Sequence, residues 1–379
     1  MTKIPAILYR GGTSKGPLIL ATDLPRERPI LDRVLLAAMG SPHPRQIDGI
    51  GGAEILTSKV AIVSKSSHPE ADVDYLFAQL LPDSSEIDYF AMCGNMLSAV
   101  GPFAIERGLV PARASTTDVR IFNINTASLI KVRVETPNGE VTYDGNHAID
   151  GVNGTAAPLV VDFSATAGGK TGALLPTGRP IDLIKGIEVT CIDAANPTII
   201  VAAESVGITG YEKKPELDQN RNVIELLQEL RVAAGYLMGL GDCRKFVLPK
   251  PIVVSRPRNG GTINGRDFVP DKCHAAFSVT GAIALSAACV VPGAVAQKVT
   301  GLSPSAETRI SIEHPFGFIN VDVGVRVVGG KVTLEKANTV RTCRKLFDGN
   351  IFVPRRVWDG TSKAMDAASL AGPSEHAGA

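Results

Sequence analysis

The sequence predicts an α+β fold that is built twice along the chain, because three distinctive patterns each occur two times. They are a strand–loop–strand pattern, a lysine at the start of an apolar strand, and a small polar loop before an apolar helix. These patterns are centred, in pairs, on Gly12 and Asn196, on Lys59 and Lys250, and on Cys93 and Ser278. We therefore expect two similar domains, residues 1–185 and 186–361, and a mobile Ala/Gly/Ser/Pro-rich tail over 362–379.

Composition limits the classes of function. The 379 residues are 44% hydrophobic and 20% charged, with a net charge of +1, which is enough chain for two hydrophobic cores. No basic block and no long apolar run occurs, so we expect neither nucleic acid nor a membrane as a partner. The six cysteines are scattered, without a CxxC pair or a histidine at zinc spacing. This pattern indicates free thiols, no metal site and a cytoplasmic location.

The first predicted domain alternates strands with loops that are rich in glycine and polar residues. The loop after the first strand carries Thr13 and Ser14 beside two glycines, which let a backbone approach a ligand closely. A second polar loop, around Gln46, precedes the strand that begins near Lys59. Hydrophobic patterning predicts strands over 4–9, 17–20, 57–64 and 73–80, β-structure over 118–165, and helices over 31–39 and 93–110.

The second predicted domain repeats this order of elements. An amphipathic pattern predicts a helix that ends at Gly239. Ser278, Thr280 and Gly281 stand directly before a long apolar run, which predicts a second buried helix. The predicted strands cover 187–193, 198–202 and 248–256, β-rich structure covers 309–334, and the helices cover 223–237 and 283–291.

Cys93-Gly94-Asn95 is the candidate reactive stretch. Asn95 is a common helix N-cap residue, and apolar residues follow it at helical spacing. The N-terminal end of a helix has a positive potential, which activates a nearby thiol and favours a bound carboxylate. Two such helix ends facing one cleft would suit a molecule with carboxylates at both ends. A buried structural cysteine is the alternative interpretation of Cys93.

Several motifs together resemble the diaminopimelate-epimerase-like superfamily, and within it the branch with methylaconitate cis-trans isomerase and 4-oxalomesaconate tautomerase. The shared motifs are Arg10-Gly11-Gly12-Thr13-Ser14-Lys15-Gly16, Gln46-Ile47-Asp48-Gly49, Gly51-Gly52, Thr57-Ser58-Lys59, Val73-Asp74-Tyr75-Leu76-Phe77, Cys93-Gly94-Asn95 and Gly101-Pro102-Phe103-Ala104-Ile105. Further stretches are most similar to the oxalomesaconate enzymes of gallate breakdown, including 106–110, 154–158, 186–193 and 312–315. The resemblance extends to about Trp358.

This resemblance implies a fold and a reaction. Each domain would be a curved, mostly antiparallel sheet wrapped around a central helix, with the active site in the cleft between the domains. The enzyme would be an isomerase without a cofactor, and it is compatible with a homodimer. It would catalyse a 1,3-allylic proton shift on a small tricarboxylate, 4-oxalomesaconate, in gallate or protocatechuate-type aromatic degradation.

The resemblance also implies roles for individual residues. Cys93 matches the first of two cysteines that act as acid and base in the epimerases, whereas the second position falls on Ser278. Because a serine hydroxyl alone is too weak an acid or base, Lys59 is the expected general base, and Cys93 assists it. A lysine base must be partly desolvated or lie beside positive groups. The expected substrate contacts are Thr13, Ser14, Gln46, Gly94, Asn95, Lys250, Ser278, Thr280, Gly281 and His314.

Other functions stay open at this point. An aconitate or 2-methylaconitate isomerase would use the same proton shift on a substrate without the ketone. A proline or hydroxyproline racemase is less consistent with Ser278 in place of a second cysteine. A non-enzymatic binding protein would also gather polar residues at two helix N-termini. Lys250 is either a carboxylate clamp or a solvated strand end.

Overall fold

The computed structural model describes residues 1–269 and 271–371, in which strands and helices alternate. The strands are β1 Thr2–Gly11, β2 Ser14–Leu20, β3 Lys59–Lys65, β4 Val73–Leu80, β5 Ile87–Asp88, β6 Ser115–Asn123, β7 Ser128–Thr136, β8 Pro158–Asp162, β9 Asp182–Ile184, β10 Ile187–Ala194, β11 Asn196–Ala202, β12 Lys250–Ser255, β13 Ile263–Asp267, β14 Thr308–His314, β15 Gly317–Val328 and β16 Lys331–Val353. The helices are α1 Arg28–Met39, α2 Gly94–Leu97, α3 Val100–Glu106, α4 Lys214–Gln219, α5 Arg221–Leu237, α6 Val279–Val290, α7 Val295–Thr300 and α8 Ala368–Ala371.

The first of two compact units contains Met1–Val161 and the chain from Arg341 onward. Its strands pair in the order β1-β2-β3-β4-β6-β7. The pairs β1–β2, β3–β4 and β6–β7 are antiparallel, and β2–β3 and β4–β6 are parallel. The amphipathic helix α1 packs its buried face into a hydrophobic cluster with β3 and β4. This unit therefore contains a mixed sheet with one face covered by a helix.

The second unit contains Asp162–Val340 and shows the same alternation of strand directions. The pairs β10–β11, β12–β13 and β14–β15 are antiparallel, and β11–β12 and β13–β14 are parallel. Helix α5 confirms the amphipathic helix predicted over 223–237. All twelve residues of α6 are buried, and the helix packs against β10, β11, β12, β14 and β15. This burial agrees with the sequence of α6, which is predominantly apolar on all sides.

The unit boundaries differ from the predicted ones at residues 185 and 361. The last part of β16 pairs antiparallel with β1, from Thr2 with Val353 to Gly11 with Cys343. These main-chain hydrogen bonds occupy the outer edge of β1 and attach the C-terminal part of the chain to the first unit. Sequence periodicity identifies a strand but not its pairing partner, so the predicted continuous domains are corrected to one continuous and one discontinuous unit.

Two further predictions are corrected. The mobile tail is wrong over 362–371, because Ala364, Ala367 and Leu370 are buried and the Ala364 N–H donates to the Leu24 carbonyl at 2.8 Å; residues 372–379 lie outside the described residues. The single helix over 93–110 is divided into α2 and α3. Pro102 has no N–H to donate to the carbonyl four residues earlier, which interrupts the helix before α3.

Candidate active site

The first candidate cluster is formed by Lys59, Gln79 and Cys93. Lys59 begins β3 and is paired across the sheet with Gln79 of β4. The Lys59 Nζ donates to the Gln79 Oε1 at 2.7 Å and to the Cys93 Sγ at 3.6 Å, and it lies 5.2 Å from the centre of the Phe77 ring. Only 6% of Lys59 is exposed. The structure therefore brings the predicted base and the predicted thiol together in a largely desolvated place.

Gln79 fixes the orientation of this cluster, and the sequence analysis did not identify it. Its Nε2 donates to the carbonyls of Ile55, Ser58 and Leu80 at 3.1, 3.1 and 2.9 Å. Because the amide nitrogen is used in this way, the amide oxygen faces Lys59. The signal in the sequence was a glutamine near the end of a largely apolar strand. Tyr75, on the same strand, donates its hydroxyl to the Cys93 carbonyl at 3.2 Å, and burial raises its pKa.

The loop between β1 and β2 packs directly on the start of α2. The Thr13 N–H donates to the Asn95 Oδ1 at 3.3 Å, and the Asn95 Nδ2 donates to the Thr13 Oγ1 at 3.1 Å. Gly12 has a φ of 50°, and a Cβ there would lie 1.9 Å from the Asn95 Oδ1. A side chain at position 12 is therefore excluded by the Asn95 amide.

The predicted N-cap at Asn95 is wrong. Cys93 occupies the N-cap position of α2, Gly94 is the first helical residue, and no side chain caps this helix. The Asn95 side chain is instead committed to Thr13, which gives it a better-defined pair of hydrogen bonds than a cap would. Ser14 is buried beside this loop, and its hydroxyl has no hydrogen-bond partner among the described residues.

The second candidate cluster surrounds the start of α6. Ser278 is the N-cap residue of α6, which begins four residues before the predicted start at residue 283, and its Oγ accepts a hydrogen bond from the Gly281 N–H at 3.1 Å. Lys250 begins β12, and its Nζ donates to the Ser278 Oγ and the Thr280 Oγ1, both at 3.4 Å. Asn196 donates its Nδ2 to the Thr280 Oγ1 at 3.1 Å. Lys250 is 5% exposed, so the solvated alternative for this lysine is wrong.

A buried carboxylate, Asp267, belongs to this second cluster and was missed by the sequence analysis. Its Oδ2 accepts a hydrogen bond from the Ser278 N–H at 3.0 Å. Burial raises the pKa of Asp267, whereas the positive charge of Lys250 and the hydrogen bonds from Ser278 act in the opposite direction. An aspartate at the end of a short strand had no distinguishing signal in the sequence.

Gln46 and His314 are two further residues that were predicted to contact the substrate. The buried Gln46 accepts hydrogen bonds on its Oε1 from the Ala53 N–H and the Ser58 hydroxyl, both at 2.8 Å, so it holds the glycine-rich loop next to Lys59. His314 ends β14, accepts a hydrogen bond on its Nδ1 from the Phe316 N–H at 3.2 Å, and lies 6.4 Å from the Phe277 ring. Both remain predictions as substrate contacts.

Within residues 1–269 and 271–371, no group of three or more His, Cys, Asp or Glu side chains is arranged to hold a metal ion. None of the helices in this part of the chain has the length and apolar character of a membrane span. The six cysteines, which all lie there, are unpaired.

Comparison with known proteins identifies the family. The sequence model of the PrpF protein family matches residues 1–354. The chain belongs to the PrpF family. It is 47% identical to the 4-oxalomesaconate tautomerase of Pseudomonas putida, covering 96% of this chain and 99% of that protein. It is also 47% identical to the (4E)-oxalomesaconate Delta-isomerase of a Novosphingobium species, over 93% and 98% of the two chains.

More distant family members and solved structures agree with this assignment. The chain is 38% identical to the 3-methylitaconate isomerase of Eubacterium barkeri, over 93% of this chain and 98% of that protein. A crystal structure of methylitaconate-delta-isomerase superimposes with a TM-score of 0.77 at 35% identity, over 94% and 97% of the two chains. A probable proline racemase from Agrobacterium radiobacter, at 13% identity and a TM-score of 0.57 over 98% of both chains, shows the shared fold alone. This PrpF-family chain is an isomerase with the diaminopimelate-epimerase-like fold.

Proposed function

We propose that this isomerase moves the double bond of an unsaturated tricarboxylate by a 1,3-allylic proton shift, and that its substrate is 4-oxalomesaconate. The observation that carries the proposal is the buried Lys59, which is oriented by Gln79 and lies 3.6 Å from the Cys93 sulfur. A general base at this position needs no cofactor when the substrate carbon is already activated by a carbonyl and an alkene. The two oxalomesaconate isomerases described above support this choice of substrate.

The proton shift can be written with Lys59 as the base. In its neutral form, Lys59 takes a proton from the carbon between the carbonyl and the alkene. The electron pair of the broken C–H bond spreads into a dienolate and towards the adjoining carboxylates. A proton then returns to the far carbon of the allylic system, so product and substrate have the same composition. Cys93, the neighbour of Lys59, assists by holding the substrate or by returning this proton.

The second cluster supplies binding rather than proton transfer in this proposal. Ser278, Thr280 and the Gly281 N–H, together with Lys250, would bind the opposite carboxylate of the same substrate. The expected arrangement of two similar domains, each a curved sheet around a central helix with a shared cleft, belongs to this proposal. The repeated alternation of strand directions and the complete burial of α6 support it. A cytoplasmic location and a dimer remain expectations.

A second candidate uses the same chemistry on a smaller substrate. The relatives that are named 3-methylitaconate isomerase and 2-methyl-aconitate isomerase, at 38% and 33% identity, favour an unsaturated acid that lacks the ketone. Lower identity makes this the weaker candidate. A racemase is disfavoured because Ser278 stands where a second cysteine would be needed.

The test follows the ultraviolet absorbance of 4-oxalomesaconate, 3-methylitaconate and 2-methylaconitate side by side with the wild-type enzyme. We expect turnover of 4-oxalomesaconate, and a loss of about 10³-fold in kcat for Lys59→Met, the middle of the range for a general base. Lys65→Met, at the exposed end of the same strand, is the matched control and should keep full activity. Deuterium uptake at the methylene carbon in heavy water should also depend on Lys59. A Lys59→Met variant that keeps most of its rate would contradict the base assignment.

A further inference from the structure

Two buried polar groups in the first unit lack hydrogen-bond partners among the described residues. They are the Ser14 Oγ and the Arg341 Nε, on side chains that are 2% and 4% exposed. Buried polar groups are normally paired, and an unpaired nitrogen on a buried guanidinium is costly. One reason for a protein to keep such a group is that a ligand supplies the missing partner.

The sheet register places both side chains on one face. Ser14 of β2 is paired with Gly11 of β1, which is in turn paired with Cys343 of β16, so side chains at these positions point to the same side. A Cβ on Gly11 would lie 2.4 Å from the Asn95 carbonyl oxygen, so this side faces the start of α2. Arg341 is two residues before Cys343 on β16 and therefore shares that face.

The contact of β1 and its following loop with β16 continues as far as Thr342, the residue after Arg341. The Gly12 N–H donates to the Thr342 carbonyl at 2.9 Å, and the Arg10 Nη1 donates to the carbonyls of Gly12 and Thr342 at 2.9 and 3.0 Å. Arg341 thus adjoins the same loop that carries Thr13 and Ser14 and packs on Asn95. Asn95 is two residues after Cys93, whose sulfur accepts from Lys59, so this loop lies next to the first cluster.

The charges around Arg341 favour an anion. Burial and the nearby Arg10 together lower its pKa to about 10, and Asp150 acts in the opposite direction. The guanidinium therefore stays charged at neutral pH, in a place where a second cation repels it. Arg10 itself is directed to backbone carbonyls, so it neutralises nothing.

We infer that Arg341 and Ser14 bind one carboxylate of the tricarboxylate substrate beside Lys59. This inference rests on the proposed function. Lys59 must be neutral to accept a proton, so it cannot also hold the negative charge of the dienolate and its carboxylates. An arginine cannot act as a base, remains charged, and offers two parallel donors that match a carboxylate. In this arrangement, Lys59 transfers the proton and Arg341 balances the negative charge of the substrate.

The kinetic test compares Arg341→Met, Arg341→Lys and Ser14→Ala with two control variants. We expect Arg341→Met to raise KM for 4-oxalomesaconate about 30-fold or more, the range for losing one partner of a buried charge pair. Arg341→Lys should recover only part of this loss, and Ser14→Ala should raise KM less. The controls are Arg231→Lys, at a buried arginine that is bonded to backbone carbonyls, and Ser286→Ala, at another buried hydroxyl without a partner. Neither control should change KM.

Thermal unfolding separates this role from a structural one. Because the Arg341 Nε is buried without a partner and Arg10 repels the guanidinium, Arg341→Met should leave the Tm unchanged or raise it. If Arg341 served only to hold Asp150, Arg341→Met and Asp150→Asn would both lower the Tm and leave KM unchanged, which would overturn the inference.

Binding of a non-reacting probe distinguishes this inference from the proposed function. Calorimetric titration with propane-1,2,3-tricarboxylate and with glutarate, a dicarboxylate, requires no turnover. We expect wild-type protein to prefer the tricarboxylate and Arg341→Met to lose that preference. Equal binding of the two probes by both proteins, or no difference between wild type and Arg341→Met, overturns the inference. Probe binding that depends on Arg341 without turnover of 4-oxalomesaconate would instead sustain it and refute the substrate assignment.

Discussion

The two units each bury a lysine at corresponding places, but they surround it differently. Lys59 begins β3 and Lys250 begins β12, and each reaches the residue that precedes a helix. The Lys59 Nζ lies 3.6 Å from the Cys93 Sγ, and the Lys250 Nζ lies 3.4 Å from the Ser278 Oγ. Each unit therefore places a lysine nitrogen at nearly the same distance from the residue before a helix.

The difference lies in the next neighbour of each lysine. Lys59 donates to the uncharged amide of Gln79, whereas Lys250 acts electrostatically on the buried carboxylate of Asp267. A carboxylate favours the charged form of a lysine, and a neutral amide leaves a buried lysine free to lose its proton. The same scaffold can therefore provide a base in one unit and a fixed cation in the other.

Among tests of this difference, the largest change in kcat is expected from Gln79→Glu, which makes the surroundings of Lys59 resemble those of Lys250. Gln79→Glu places a carboxylate against Lys59 with almost no change in shape. We expect kcat at neutral pH to fall about 100-fold, because an opposite charge at this distance favours the ammonium form. Activity should recover partly as the pH is raised, which a pH–rate profile would measure.

A second variant keeps this test decisive if Gln79→Glu is unstable through losing its donated hydrogen bonds. Gln79→Met removes the amide without adding charge, so its kcat should fall less and should not recover at high pH. Full activity of Gln79→Glu at neutral pH would show that Lys59 does not need a neutral partner.

The second cluster should respond in binding rather than in rate. Lys250→Met should raise KM about 10- to 100-fold and change kcat only a few-fold, since it removes charge that is present in both the ground state and the transition state. Lys245→Met, at an exposed lysine shortly before it, is the matched control and should match wild type. A loss in kcat as large as that of Lys59→Met would end the proposed distinction between the two lysines.

Much of the fold could be predicted from local sequence patterns. The apolar periodicity of α5 and the alternation of β1 are properties of a few neighbouring residues, and both elements are present close to their predicted bounds. The unit boundaries were not predictable in this way, because the pairing of β1 with the end of β16 joins residues at opposite ends of the chain. Burial of the segment 362–371 depends on the same long-range packing.

The residues of the candidate site also differ in whether local sequence could identify them. Lys59, Cys93 and Ser278 stand at element boundaries where the residue type itself suggests chemistry. Gln79 and Asp267 act through hydrogen bonds and charge across neighbouring strands, which only the sheet register brings together. Arg341 was also missed, since a basic residue in a long strand usually points to solvent.

A second pair of corresponding residues precedes the two loops at these sites. Arg10 stands one position before the end of β1, and Asp193 stands one position before the end of β10. Arg10 donates to backbone carbonyls, whereas the Asp193 Oδ2 accepts from the N–H groups of Lys170 and Thr171, each at 2.9 Å. Residues at corresponding strand ends thus carry opposite charges and hold different backbone segments, and of the two only Asp193 titrates at mildly acidic pH.

This contrast predicts a small pH effect on stability that is specific to the second unit. Burial raises the pKa of Asp193 from 3.8 to about 6, against the lowering effect of its hydrogen bonds. Between these values the folded protein holds a proton that the unfolded chain has released. The contribution of Asp193 to the free energy of unfolding therefore decreases as the pH rises from about 4 to about 6. Above that pH, this contribution is constant.

Urea unfolding of the wild type and Asp193→Asn at about pH 4, 5, 6 and 7 measures this effect, since the variant lacks the titrating group. We expect the free energy of unfolding of the wild type, relative to the variant, to fall over this range by on the order of 1–3 kcal/mol. Taking the difference cancels the contributions of all other carboxylates. A difference that rises with pH would mean that the donors from Lys170 and Thr171 outweigh burial and that Asp193 is held as a carboxylate, as Arg10 is held as a cation.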